Sequence, residues 1–261
     1  MARAPLSRYT GKMAFLFNTL IYDPLYNGLV FFIDVVPGGD VGVAVILLTL
    51  LVKFILFPLS KKAIKTQIAM KAIEPELKKL KETIKDKQEQ AKAMMELYRK
   101  NGMNPFSSIL LLFIQLPVIF GLYWVFFRGG LPEINLDIIY AIIPEPTVVN
   151  MQFLGLVDMA GKSAILAGLA GVTQFIQARL SLPPAAPRKD GDGFKEDLAR
   201  SFNIQMRYVL PVIVAVVAYV ISAAVALYWL TSNIFTIGQE LLVRRRYVAE
   251  AKEKATPIQH E

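Results

Sequence analysis

From Met206 to Gln239 the chain is almost continuously apolar for thirty-four residues, with Arg207 as the only charge in the run. As one helix this run would be about 50 Å long, against a bilayer hydrocarbon core of ~30 Å. Two short spans turning near Ser222–Ala224 fit better. Each is then about 25 Å long, short enough to thin the membrane around it. Three further apolar stretches reach spanning length: Val41 to Ser60, Ser107 to Phe127 and Met159 to Leu180. Hydrophobic residues make up 54% of the 261 residues, against the ~45–50% usual for soluble domains. The expected class is an all-α polytopic membrane protein with five transmembrane helices.

The polar segments complete the plan. Residues 14–36 are apolar but interrupted by Asn18, Asp23, Pro24, Asn27, Gly28 and Asp34. An interfacial helix is expected there, and a sixth span is the alternative. In the charged stretch that follows the first span, Ile73, Leu77, Leu80 and Ile84 form one narrow stripe. Met94, Leu97 and Tyr98 form a second, so two antiparallel helices joined near Lys85–Lys87 are expected. On the third span, Ala160, Ala164 and Gly168 are spaced for close helix packing. The predicted order starts with a tail and interfacial helix over 1–40, a span over 41–60 and the helical hairpin over 61–104. A span over 105–127, an extracytoplasmic loop over 128–157, a span over 158–180 and a cytoplasmic loop over 181–205 come next. Spans over 206–222 and 223–243 and a basic tail over 244–261 close the chain.

Loop charge sets the expected orientation. The 59–104 segment holds twelve Lys and Arg, 179–207 holds six, and the tail from Glu240 holds five. The 128–158 loop holds Arg128 alone against four acids. Basic loops stay in the cytoplasm, so the hairpin and C-terminus are expected inside and the N-terminus outside. The basic start and the apolar AFLFNTLIY have no small-x-small cleavage site, so no processing is expected.

Several chemistries are excluded. There is no cysteine, and the only histidine is His260 in the polar tail, which removes thiolate chemistry, a histidine metal site and a catalytic triad. GKS at 161–163 is not a phosphate loop, because Leu156 stands where that motif needs glycine. The basic 61–100 stretch is also acidic and lacks interleaved aromatics, so no nucleic-acid site is expected. Inverted repeats, expected of a secondary transporter, are not evident.

The residues that do not belong in lipid are the informative ones. Lys53 stands inside LLTLLVKFILFPLSKKA, where a charge near a span's middle costs roughly 2.5–3.5 kcal/mol. Gln115, Gln174, Gln177, Asn233 and Gln239 are further polar intrusions, and Tyr228 and Trp229 add hydrogen-bonding aromatics. One reading is local: Lys53 snorkels past Pro58, and the amides act as interhelical glue. The other is shared: most lie in the middle or cytoplasmic half of their spans, where one wet, positive cavity would satisfy them together.

The ordered motifs FPLSKKA, EPELKKLKE, MELYRKNGMNPFSSILLLFIQLPVIFGLYWVF, FLGLVD, QFIQARLS, MRYVLP and ALYWLTSNIFTIGQE run from about residue 15 to 247. In them the chain resembles the YidC-type membrane protein insertases, relatives of the mitochondrial oxidase-assembly translocases. The resemblance implies a hydrophilic groove formed by the five spans, open to the cytoplasm and to lipid, working without nucleotide or cofactor. It puts Lys53 at the place of a conserved positive residue, and Gln177 and Trp229 at groove-lining positions. With Gln115, Asn233 and Gln239 these form the expected groove and substrate-contact set. Lysine replaces the usual arginine, Ile221–Ala224 replaces the usual proline and glycine, and no lipobox cysteine or large periplasmic domain is present, so a short, minimal member is expected.

The expected function is insertion of membrane proteins into the bacterial cytoplasmic (inner) membrane, with nascent membrane proteins and membrane lipids as partners. The hairpin and basic tail are candidate docking surfaces for a ribosome, the signal recognition particle machinery or a Sec translocon. The alternative is a membrane chaperone for proteins inserted by a translocon.

Overall fold

The computed structural model describes residues 12–84, 86–102, 118–126, 131–182 and 200–255. The helices are α1 (Lys12–Phe17), α2 (Asp23–Val35), α3 (Val41–Ile55), α4 (Phe57–Ala72), α5 (Glu74–Thr83) and α6 (Lys87–Lys100). They continue with α7 (118–126), α8 (Ala164–Ser181), α9 (200–204), α10 (Leu210–Ile221) and α11 (Ala223–Ala255). Of the expected second span only 118–126 is described, and Gln115 lies outside the described residues.

Four prolines punctuate these helices in two ways. Pro24 and Pro211 each sit in the first turn of a helix that follows a five-residue π-turn, Asn18–Tyr22 and Gln205–Val209. A proline ring clashes with the carbonyl four residues back, and the wider π-turn accommodates it. The backbone therefore stays helical from Lys12 to Val35, across the interruptions that suggested a break. Pro58 and Pro75 act differently. They follow breaks at Leu56 and Ile73, and α3 and α4 are bent by 63°.

The core gathers at one end of the bundle. Tyr26, Leu29, Val30 and Ile33 of α2 pack on Val41, Ala44, Val45 and Leu48 of α3. Leu25 of α2, Leu122 and Val125 of α7, Met159, Leu166 and Ala167, Ala218 of α10 and Ala223, Ala224, Ala226, Leu227 and Tyr228 of α11 complete the cluster. The 131–163 segment, with a small hairpin pairing Gln152–Phe153 against Val157–Asp158, is bonded across this end. Asn27 donates to Ile138 O at 2.8 Å and accepts from Tyr140 N at 2.7 Å. Asp40 accepts from Val43 N at 3.0 Å and from Leu154 N at 2.8 Å. The strand-like Ser222 separates α10 from α11, and Ala223 N donates to Gly161 O at 2.7 Å. Gly39 has φ +63°, and a Cβ there would collide with Val148 O, so only glycine fits.

Small residues do set the close packing of α8, but not the expected ones. Ala160 precedes the helix, and Gly168 has open space beside it. The buried set is Ala167, Ala170, Gly171 and Ala178. A Cβ on Gly171 would lie 2.8 Å from Ala215 Cβ of α10. Spacing alone does not say which of several small-residue rows faces a neighbour.

At the other end α4 packs on α11, and α5 turns back on α6. Asp86 caps α6 by accepting from Gln88 N and Glu89 N. The stripe residues Leu77, Leu80, Met94, Leu97 and Tyr98 are half-buried. Large apolar side chains on α8 and α10, among them Ile165, Val172, Val212, Val216 and Val220, face outward. The helix Arg200–Ile221 is long and apolar enough to cross a bilayer, as is the bent α3–α4 pair taken together. An apolar helix that the protein itself does not bury suits a hydrocarbon solvent.

Candidate functional site: a polar face on α11

Trp229, Asn233, Thr236 and Glu240 recur on α11 at helical spacing, so their side chains share one face. Three neighbours meet that face. From the last turn of α3, Lys53 Nζ donates to Thr236 Oγ1 at 3.2 Å. The Thr236 hydroxyl donates in turn to Ser232 O at 2.8 Å, which leaves its lone pairs for the ammonium. From the first turn of α4, Ser60 Oγ and Phe57 O accept from Gln239 Nε2 at 2.6 and 3.3 Å. From α8, Ala170 O and Thr173 Oγ1 each accept from Asn233 Nδ2 at 3.3 Å.

A second chain of polar groups runs along α8 and crosses to α11. Gln174 donates to Gln177 and Gln177 to Ser181, both at 3.3 Å. Ser181 Oγ donates to Glu240 Oε2 at 2.6 Å. Glu240, 1% exposed, is held on its other oxygen by Arg244 at 2.6 Å. Arg244 also donates to Leu180 O at 2.6 Å, the carbonyl that accepts from Lys71 Nζ at 3.4 Å. Two cations thus meet the carbonyl end of α8, where the helix dipole favours positive charge. Burial and the nearby Arg244 guanidinium push the Lys71 pKa below its ordinary value, with Glu240 opposing.

The structure therefore joins Lys53 to the α11 face that carries Trp229 and Asn233, and places Gln177 on the chain leading to Glu240. Asn233 and Gln239 are buried and bonded between helices, while Gln177 and Trp229 are half-buried. Sequence reasoning missed Thr236 and Glu240. Glu240 falls within the span expected over 223–243, and its i, i+4 spacing from Arg244 is the available signal. Among the described residues, no three His, Cys, Asp or Glu side chains gather as metal ligands would.

A family model described as 60Kd inner membrane protein matches residues 32–251. The chain belongs to this family. Membrane protein insertase YidC of Francisella tularensis subsp. novicida (strain U112) is 32% identical over 216 residues, covering 82% of this chain and 34% of that protein. The proteins of the same description from subsp. tularensis (strain SCHU S4 / Schu 4) and subsp. holarctica (strain LVS) match to the same extent. The chain spans about a third of the length of these curated relatives. The solved structure described as "Active YidC insertase crystal structure with the first transmembrane domain resolved" matches with a TM-score of 0.52 at 20% identity. That match covers 86% of this chain and 47% of the other, and shows a shared fold. Membership in the 60Kd inner membrane protein family makes this an inner-membrane protein of YidC type.

Proposed function

We propose that this chain inserts membrane proteins, using the polar face of α11 and Lys53 as the wall of a groove that a client's hydrophilic segment enters. Five spans, α3, the second span around α7, α8, the helix through α10, and α11, surround it. The bonded 131–163 end faces outside and the hairpin end faces the cytoplasm. The observation that carries the reading is the Lys53 ammonium placed in an apolar helix and turned to the Thr236 hydroxyl of α11. A positive, hydrated cavity in the cytoplasmic half of the bilayer lowers the desolvation cost for an acidic tail. The client's apolar segment then partitions into lipid. No nucleotide is consumed: apolar transfer supplies drive, and the membrane potential adds ~2.3 kcal/mol per charge per 100 mV.

Nascent membrane proteins are the substrates. The half-buried stripes of the α5–α6 hairpin form a thin interface that can open locally, suiting recruitment of clients or of a ribosome, signal recognition particle machinery or Sec translocon. The helical, basic extension of α11 past Arg244 offers a second docking surface.

Site-specific photocrosslinking tests the placement. A benzophenone amino acid at Trp229 or Gln177 is expected to capture a nascent single-span client, and one at the core position Ala44 is not. Equal capture at all three, or capture only at the outward Val216, would place the client elsewhere.

A further inference from the structure

A second feature lies beside the groove and is not part of it. Between α4, α8, the π-turn before α10 and α11 there is a cavity of about 400 Å³. Its lining divides into two kinds of chemistry. Four side chains are cations, Lys71, Arg179, Arg207 and Arg244, and none of the lining residues is acidic. The rest are apolar, with Phe175 and Ile176 among them. The nearby carboxylate Glu240 is already taken up by Arg244 and Ser181, so among the described lining residues positive charge predominates.

Two observations make this more than a crowded basic surface. Two of the four cations are held in place: Arg244 by Glu240 and Leu180 O, and Lys71 by the same carbonyl. Arg207 Nε is buried and, among the described residues, has no hydrogen-bond partner. A buried guanidinium nitrogen without an acceptor is costly. The surroundings indicate what supplies one. Ile176, Phe202, Ile204, Tyr208 and Val209 are exposed around this site, and Phe175 packs on the Tyr208 ring at 6.0 Å. Exposed tyrosine and apolar side chains beside a basic rim mark a membrane interface.

We propose that this cavity binds the phosphate of an anionic phospholipid, with Arg207, Arg179, Lys71 and Arg244 on the headgroup and the Phe175–Ile176 wall along the glycerol and upper acyl chain. Guanidinium groups match phosphate oxygens in pairs, and basic pockets between spans on the cytoplasmic side suit such headgroups. Free phosphate offers the same oxygens but nothing for the apolar wall. The lipid would tie α8 and the α9–α10 helix to α4 and to α11, which carries the polar face.

Native mass spectrometry of the detergent-purified full chain provides the test, titrating palmitoyl-oleoyl phosphatidylglycerol against the phosphatidylcholine with the same acyl chains. One tightly retained phosphatidylglycerol per chain is expected, at concentrations where phosphatidylcholine is stripped. The double variant R179Q/R207Q is expected to weaken it about tenfold or more, whereas R179K/R207K, which keeps the charge, should lose far less. Thermal melts of both variants establish that they are folded. Equal retention of the two lipids, or unchanged affinity in the folded R179Q/R207Q protein, overturns the site. Displacement of the lipid by millimolar inorganic phosphate, or by an acidic peptide in its place, overturns the lipid as occupant.

Discussion

Lys53 Nζ on α3 lies 3.2 Å from Thr236 Oγ1 on α11, joining residues 183 positions apart across the interior of the helix bundle. The threonine can accept because its own proton is turned back to Ser232 O. T236V keeps the shape but removes the acceptor. It is expected to destabilise the bundle by about 0.5–1.5 kcal/mol, with T236S close to wild type. Thermal unfolding in detergent, followed by circular dichroism, reads both.

Glu240 is buried deeper than any other carboxylate among the described residues, and it collects Ser181 and Arg244. E240A strands both donors and is expected to cost ~3 kcal/mol, the range for breaking one side of a buried pair. E240Q retains one acceptor and should cost about half as much. Melting temperatures should follow the order wild type, E240Q, E240A; an E240A protein as stable as wild type would show the pair to be incidental.

Much of this arrangement is legible in the sequence, and the remainder is hidden for identifiable reasons. A break within 206–239 follows from length against bilayer thickness, and α10 ends at Ile221. Lys53 stands out because one charge interrupts an apolar run. The continuity of the helix from Lys12 to Val35 is not legible, because nothing in the residues before Pro24 signals the π-turn that accommodates its ring. Asn27 looked like an interruption, yet it is a buried tie to the loop at Ile138 and Tyr140. Thr236 was invisible since threonine is unremarkable in an apolar helix until a partner is known.

The loop-bonded end yields its own prediction. N27A would leave Ile138 O and Tyr140 N without their side-chain partner and is expected to cost about 2–3 kcal/mol. Limited proteolysis should cut the 131–150 segment faster in N27A than in wild type. Unchanged cutting would mean the loop is held by its remaining bonds.

Lys71 predicts a pH effect. Its folded pKa lies below 10.5, with burial the main cause, so between the folded and unfolded values the unfolded chain binds more protons. Stability therefore rises with pH as it climbs through that window and levels off above it. The effect is small, since the side chain is partly exposed and screened. In K71Q the rise just below pH 10.5 should be shallower than in wild type; parallel curves would contradict the assignment.

In the proposed mechanism the positive charge at Lys53 lowers the barrier for an acidic segment entering a hydrated groove. The most direct measurement is protease-protected insertion of a single-span client with an acidic N-tail into liposomes holding purified wild type, K53R or K53L, matched for folding. Wild-type insertion is expected with K53R, and a loss of about a hundredfold with K53L, the factor for the roughly 2.5–3.5 kcal/mol of one uncompensated charge at bilayer depth. Equal insertion by all three proteins would contradict it, leave Lys53 as a snorkelling residue, and turn the reading toward a chaperone.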